Sequence, residues 1–168
     1  KCKWLVQDIV ALKRSADVKV ALSSPDVKAV SKKPILAPEF ILCGLQASDK
    51  NEVIKKMTDN LWLHHRTDNR DQLTDDIWAR EDSFSTAVGY GFAIPHTKSD
   101  HIHYSTISMA TLASPIMWGD QEVETVFMLT VSKSADPNEH MKYFSTLARK
   151  LMKEDFRNEI KQAENVNV

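Results

Sequence analysis

Arg80-Glu81-Asp82-Ser83-Phe84-Ser85-Thr86-Ala87-Val88-Gly89-Tyr90-Gly91-Phe92-Ala93-Ile94-Pro95-His96 is the stretch from which the rest of the chain is read. Gly89 and Gly91, two apart, permit backbone conformations that a side chain would forbid. A short apolar strand, Gly91 to Ile94, then delivers a single histidine at a strand end, just past a proline that denies the ladder a donor. Ligands of open α/β sheets gather at strand ends, and an imidazole neutral near physiological pH is a competent nucleophile. Alone, such a histidine reads as a loop-bonded residue. Its spacing from Arg80-Glu81, the glycine pair and a second histidine further on, His140, turn the reading toward chemistry.

Outward from this stretch, short apolar strands alternate with amphipathic helices. Glu39 to Leu45 reads as a strand. Ser48 is placed to cap a helix over Asp49 to Leu63, whose Val53, Ile54, Met57 and Leu61 share a face. A second helix is expected over Arg70 to Glu81, with Leu73, Ile77 and Trp78 turned inward. Ser105 to Leu112 reads as a half-covered strand, and the apolar run within Val123 to Val131 as a strand covered on both faces. Asp136-Pro137-Asn138 opens a long helix to about Lys153, with Met141, Phe144, Leu147, Ala148 and Leu151 inward. A last helix runs near Phe156 to Ala163. The fold class implied is α/β, a mixed β-sheet sandwiched by helices on both faces.

Before this body, Lys1 to Leu22 reads as mostly helical, and a break lies between about Ser23 and Ile35, through Ser24-Pro25 and Lys33-Pro34. The expected division is therefore an amino-terminal helical segment and linker, 1–34, and one domain, 35–168. The opening Lys1-Cys2-Lys3-Trp4 reads as the interior of something longer, without a leader.

Bulk properties narrow the function. Hydrophobic residues make up 42% and charged residues 27% of the 168, and the net charge is -1, so no global basic field would hold nucleic acid or an anionic membrane. No apolar run approaches the ~20 residues of a membrane helix. Cys2 and Cys43 have no metal-ligand spacing. Cys43, within Phe40-Ile41-Leu42-Cys43, reads as a small buried hydrophobe, and a reducing cytoplasm is the expected setting.

Three further positions bear on chemistry. His140, in Pro137-Asn138-Glu139-His140 at the first helical turn, lies where unpaired amides and the helix dipole favour a phosphoryl group. The plain alternative is a surface histidine. Arg80 can act as a phosphate fork, or as an exposed arginine paired with Glu81 or Asp76. Ser85 and Thr86 offer hydroxyl donors or are turn residues. His101-Ile102-His103 could begin a metal site, but Asp100 is the only further ligand type nearby, so a solvated loop is the better reading. His64-His65 follows a helix end, an ordinary place for histidine. Trp62, Trp78 and Trp118 read as core.

The chain resembles the fructose/mannitol-type enzyme IIA family of the bacterial phosphoenolpyruvate-dependent sugar phosphotransferase system. The resemblance runs through Arg80-Glu81, Gly89 to His96, Pro115-Ile116-Met117-Trp118-Gly119-Asp120, Val126 to Leu129, and Asn138-Glu139-His140-Met141-Lys142-Tyr143-Phe144 on to Arg149. The last of these is closest to the fructose branch. It implies a phosphohistidine at His96, modified on Nε2, with Arg80 as the supporting arginine and His140 as the second active-site histidine. Thr97 departs from the smaller residue common in relatives and would narrow access. Cys2 to Val18 also resembles the end of an enzyme I domain, as in multiphosphoryl transfer proteins that fuse HPr, enzyme I and enzyme IIA.

The expected reaction is phosphoryl transfer from phospho-HPr to His96 and then to a cysteine of enzyme IIB, with no cofactor and no metal. An apolar collar is expected around His96, where both partners would dock. Two other readings stand beside it: a regulatory module of the same fold, phosphorylated at His96, and a metal-dependent hydrolase using His96, His101 and His103. Which sugar is served is not written in this chain.

Overall fold

The apolar run at Val126-Phe127-Met128-Leu129 forms the middle of the sheet, with all four residues buried. In the computed structural model, which describes residues 33–164, it belongs to strand β6, Gln121–Ser132. The helical segment expected before Leu22, and the enzyme I-like tail with it, lie outside the described residues. Six strands build the sheet: β1 (Ile41–Leu45), β2 (Ala87–Gly89), β3 (Phe92–Ala93), β4 (His96–Ser99), β5 (Thr106–Trp118) and β6. Their order is β1-β5-β6-β3-β2, with β4 also paired to β6. β1 runs parallel to β5, β5 antiparallel to β6, and β3 and β4 parallel to β6.

Successive side chains of a strand point to opposite faces, and two cores result. Ala93, Ala110, Val126 and Met128 face one way, against Val53, Ile54, Met57 and Leu61 of helix α1 (Lys50–Leu63) and Leu73 and Ile77 of α2 (Arg70–Ser83). Phe92, Met109 and Phe127 face the other way, against Leu151 of α3 (Glu139–Leu151) and Phe156 and Ile160 of α4 (Glu154–Glu164). This is the expected α/β sandwich. Truncating a residue as deeply set as Phe127 costs about 3–5 kcal/mol.

Several local expectations are corrected. Asp49, not Ser48, caps α1 by accepting from the Glu52 amide, while the Ser48 amide and hydroxyl both donate to Glu52 and hold its carboxyl down at about 2. Pro38–Phe40 forms a 3₁₀ turn where a strand was expected. The half-covered strand extends to Trp118 because Ala113, Ser114 and Pro115 sit in an exposed bulge, which tolerates a proline without a ladder donor. Cys43 is exposed on β1 rather than buried. Trp62 is half-exposed beneath the Arg70 guanidinium, with 4.7 Å from that group to the ring centre.

Pro95 shapes the site. β3 pairs with Thr125 and Val126, β4 with Leu129 to Ser132, so the two lie end to end along one edge of β6, parted by Ile94-Pro95. At the break the Ile94 amide turns away to the Thr86 carbonyl at 3.0 Å, while the Pro95 carbonyl still accepts from Leu129 at 3.0 Å. His96 therefore opens a strand of its own instead of ending one.

One carboxylate ties the ends of three elements together. The Glu81 side chain, fully buried at the end of α2, accepts from Trp118 Nε1 at 2.8 Å, the Thr86 amide at 3.1 Å, the Thr86 hydroxyl and Lys50 Nζ at 3.2 Å. Removing it orphans several buried donors at once. Glu81→Ala is expected to lower the unfolding free energy by roughly 3 kcal/mol. Urea denaturation measures this, and a loss under about 1 kcal/mol would show the network to be incidental.

Candidate functional site

The turn from α2 to β2 sets the position of Arg80. Its Nη1 donates to the Phe84 carbonyl at 2.9 Å, four residues on, and its Nε donates to Nε2 of His96 at 3.2 Å. The other nitrogen of the imidazole, Nδ1, lies 2.8 Å from the Ile94 carbonyl. A carbonyl only accepts and Arg80 Nε only donates. The proton therefore sits on Nδ1, and Nε2 holds the lone pair. The break at Pro95 makes this possible, because Ile94 O lies beside the residue that opens β4.

The opposite side of the ring meets α3. The His140 ring centre lies 5.2 Å from that of His96, and the Phe144 centre 4.9 Å. Four residues apart, His140 and Phe144 share one face of the helix. The start of α3 has no side-chain cap from Asn138; the Asn138 and Glu139 amides donate to the Asp136 side chain and carbonyl at 2.8 and 2.9 Å.

His96 is 8% exposed. Burial, outweighing its bond to Ile94, pushes its pKa below the ordinary value, helped by the positive charge of Arg80 and by His140. Burial likewise lowers His140, with Lys98 and Arg80 adding to the effect. Two neutral imidazoles thus sit among cations.

The three residues singled out from the sequence, Arg80, His96 and His140, are brought together. Arg80 pairs with neither Glu81 nor Asp76; Asp76 instead accepts from the Ser99 hydroxyl. Ser85 and Thr86 turn away: Thr86 serves Glu81, and Ser85 Oγ accepts from the Ala87 amide. Met141, expected inward and next in sequence to His140, is 60% exposed, and Phe84, whose carbonyl accepts from Arg80, is 76% exposed. His103 pairs with Asp68 at 2.8 Å, and among the described residues no three His, Cys, Asp or Glu side chains are gathered as metal ligands. No helix among the described residues is long and apolar enough to cross a membrane.

Sequence reasoning missed Phe144 as a ring partner, the Ile94 carbonyl that fixes the tautomer, and Lys98. The i, i+4 spacing of His140 and Phe144 was available as a signal. So was the i, i+2 spacing of His96 and Lys98, once both are known to share a strand. The carbonyl contact had no signal in side-chain identity.

Comparison with known proteins gives one consistent result. The family model described as phosphoenolpyruvate-dependent sugar phosphotransferase system, EIIA 2, matches residues 34–168. Multiphosphoryl transfer protein 2 of Escherichia coli K12 is 42% identical over 163 residues, covering 97% of this chain but 19% of the relative. This chain thus spans about a fifth of that protein's length. The fructose-specific EIIA component of Haloferax volcanii is 35% identical over 103 residues, 60% of this chain and 66% of the relative. Among solved structures, the nitrogen regulatory protein IIA-Ntr of Neisseria meningitidis superposes with a TM-score of 0.68 at 24% identity, over 74% of this chain and 86% of that one. The mannitol enzyme IIA of Escherichia coli, solved in complex with phosphorylated enzyme IIB, gives 0.64 at 17% identity, over 79% and 90%. With the match extending across the whole described sheet and both sets of helices, the chain belongs to the EIIA 2 family of the phosphoenolpyruvate-dependent sugar phosphotransferase system.

Proposed function

We propose that this domain is a phosphoryl carrier that accepts phosphate from phospho-HPr on Nε2 of His96 and passes it to a cysteine of enzyme IIB, in uptake of fructose-class sugars in the cytoplasm. The observation that carries this reading is the tautomer: Nδ1 is protonated against Ile94, and the Nε2 lone pair is held at the Arg80 guanidinium. The division into a segment over 1–34 and a carrier domain over 35–168, with an enzyme I portion fused ahead of it, belongs to the same proposal. It is supported by likeness to multiphosphoryl transfer proteins.

The chemistry balances without a base. The Nε2 lone pair attacks phosphorus, and the bond from phosphorus to the donor nitrogen breaks, its electron pair staying on the donor ring. His96 then bears the phosphoryl group on Nε2 and a proton on Nδ1, a cationic ring whose N–H rests on the Ile94 carbonyl. A donor ring that enters protonated on its second nitrogen leaves neutral, so no proton changes hands. In the second half-reaction a thiolate attacks phosphorus, the N–P bond breaks, and His96 returns to its resting form. The remaining demand is alignment and neutralisation of the phosphoryl oxygens. Arg80 supplies a planar fork, and His140 lies across the ring as a second imidazole. Phe84 and Met141 give the exposed apolar rim that transient docking favours.

Incubation with phosphoenolpyruvate, enzyme I, HPr and candidate enzyme IIB domains, following labelled phosphate, tests the scheme. His96→Ala should take up no label while keeping its fold; stoichiometric acid-labile label on this variant would end the assignment. Arg80→Lys keeps the charge but loses the fork, which should slow transfer by roughly tenfold to a hundredfold, about 1–3 kcal/mol. Its thermal unfolding should hardly change, because a half-exposed arginine adds little to folding.

The depressed histidines also fix a pH dependence. Both fold with pKa values below the ordinary 6.5, so between those values and 6.5 the unfolded chain binds more protons than the folded one. Stability is then full above 6.5 and lost as pH falls through the folded values. Urea midpoints should decline across this acidic window, and His96→Gln should flatten part of the decline. An identical slope in wild type and variant would place the loss elsewhere.

A further inference from the structure

Lys98 lies two residues after His96 in β4, so the two side chains leave the same face of the strand. The register agrees: His96 stands opposite Leu129 and Lys98 opposite Val131, again two apart. This is the face on which His140 and Phe144 lie against His96. Thr97 and Ser99 point the other way, toward α2, where Ser99 bonds Asp76. The Lys98 side chain thereby leaves β4 on the same face as His96, two residues further along the strand.

Lys98 is half-buried, and among the described residues no hydrogen-bond acceptor or carboxylate is paired with its ammonium. The acids in its neighbourhood are engaged elsewhere. Asp76 accepts from Ser99, Asp100 pairs with Lys133 at 3.1 Å, and Glu139 accepts from the Tyr143 hydroxyl at 2.9 Å. Half-buried ammonium groups ordinarily find a counter-charge. The positive charge of Lys98 reaches His140, where with Arg80 it opposes protonation. The resting site therefore holds two cations around two neutral imidazoles, and the carboxylate whose charge reaches His96, Glu81, is already paired with Lys50.

We propose that Lys98 is a phosphoryl-binding residue, its ammonium pairing with an oxygen of the group carried on His96, as a second cation beside Arg80. The inference rests on the carrier reading above and adds no covalent step to it. The two cations differ in kind. Arg80 is a planar fork anchored to the Phe84 carbonyl. Lys98 is a point charge on a flexible stem, able to follow a phosphoryl group as it moves toward a partner. Its main effect should fall on the stability of the phosphorylated state, because a charge pair formed only there shifts the equilibrium of exchange with the donor.

The test uses the full chain with Lys98→Gln and Lys98→Arg. The exchange equilibrium with phospho-HPr is measured from the distribution of labelled phosphate, together with the forward rate and the imidazole titration of His140 by NMR. Lys98→Gln should shift the equilibrium toward the donor by roughly tenfold or more, the scale of one charged hydrogen bond. Lys98→Arg should recover most of that shift. In the unphosphorylated chain the His140 pKa should rise in Lys98→Gln, since a neighbouring positive charge has gone, with thermal unfolding unchanged. A purely structural lysine would not produce that combination. The proposal is overturned if the wild type is labelled on His96 and Lys98→Gln exchanges within twofold of it, or if Lys98→Arg does no better than Lys98→Gln. If the wild type itself takes no label on His96, the carrier reading fails and this inference falls with it.

Discussion

The Glu81 carboxylate is the constraint on which the site depends. It gathers an indole N–H from the end of β5, an amide and a hydroxyl from the turn into β2, and an ammonium from the start of α1. These groups come from parts of the chain far apart in sequence, and no apolar contact could fix their mutual orientation as four directed bonds do. A buried carboxylate with so many donors is far costlier to break than to keep. Arg80 is the next residue along the backbone, so whatever fixes the end of α2 also aims the guanidinium at His96. Stability and chemistry share one anchor here.

Much of this was legible in the sequence, for identifiable reasons. The apolar run around Phe127 announces a strand covered on both faces because no other environment suits four consecutive large apolar residues in a short strand. The helical faces of α1 and α2 follow from spacing alone. Met141 and Trp62 were misread because an apolar residue at the right period is only a candidate for burial. At the first turn of α3 His140 faces the sheet while Met141 beside it is exposed, and at the end of α1 the indole is met by a guanidinium instead of a core. Cys43 was misread likewise, since β1 is an edge strand and one of its faces is open.

The geometry of the candidate site was less legible than its members. Arg80, His96 and His140 could be named from spacing and resemblance, but their roles depend on backbone. The tautomer of His96 follows from the Ile94 carbonyl, which any residue would provide at that place. Its place follows from Pro95, which interrupts the pairing along β6 and lets the chain resume beyond it as a separate strand in the same register. A proline in sequence says that a ladder bond is missing; it does not say that a second strand restarts beyond it. Lys98 became visible only once that second strand was known, because its relation to His96 is a strand relation.

The electrostatic design then follows from what a carrier must do twice. A group that accepts phosphate and gives it away cannot bind it too tightly, since the energy of the loaded state sets both half-reactions. Burial keeps the two resting imidazoles neutral, which preserves the attacking lone pair of His96 and leaves His140 without a charge of its own. In the proposed carrier role the neutralisation falls to the fixed cations, Arg80 as a rigid fork and Lys98 as a point charge on a flexible stem. Close in the chain to Arg80 and His140, the apolar side chains of Phe84 and Met141 are exposed. An enclosed site would stabilise the phosphoryl group further but would bar the second protein that has to reach it. On the proposed carrier reading, a phosphoryl group on Nε2 of His96 needs both neutralised oxygens and an open approach for the partner, because in-line departure requires the two together.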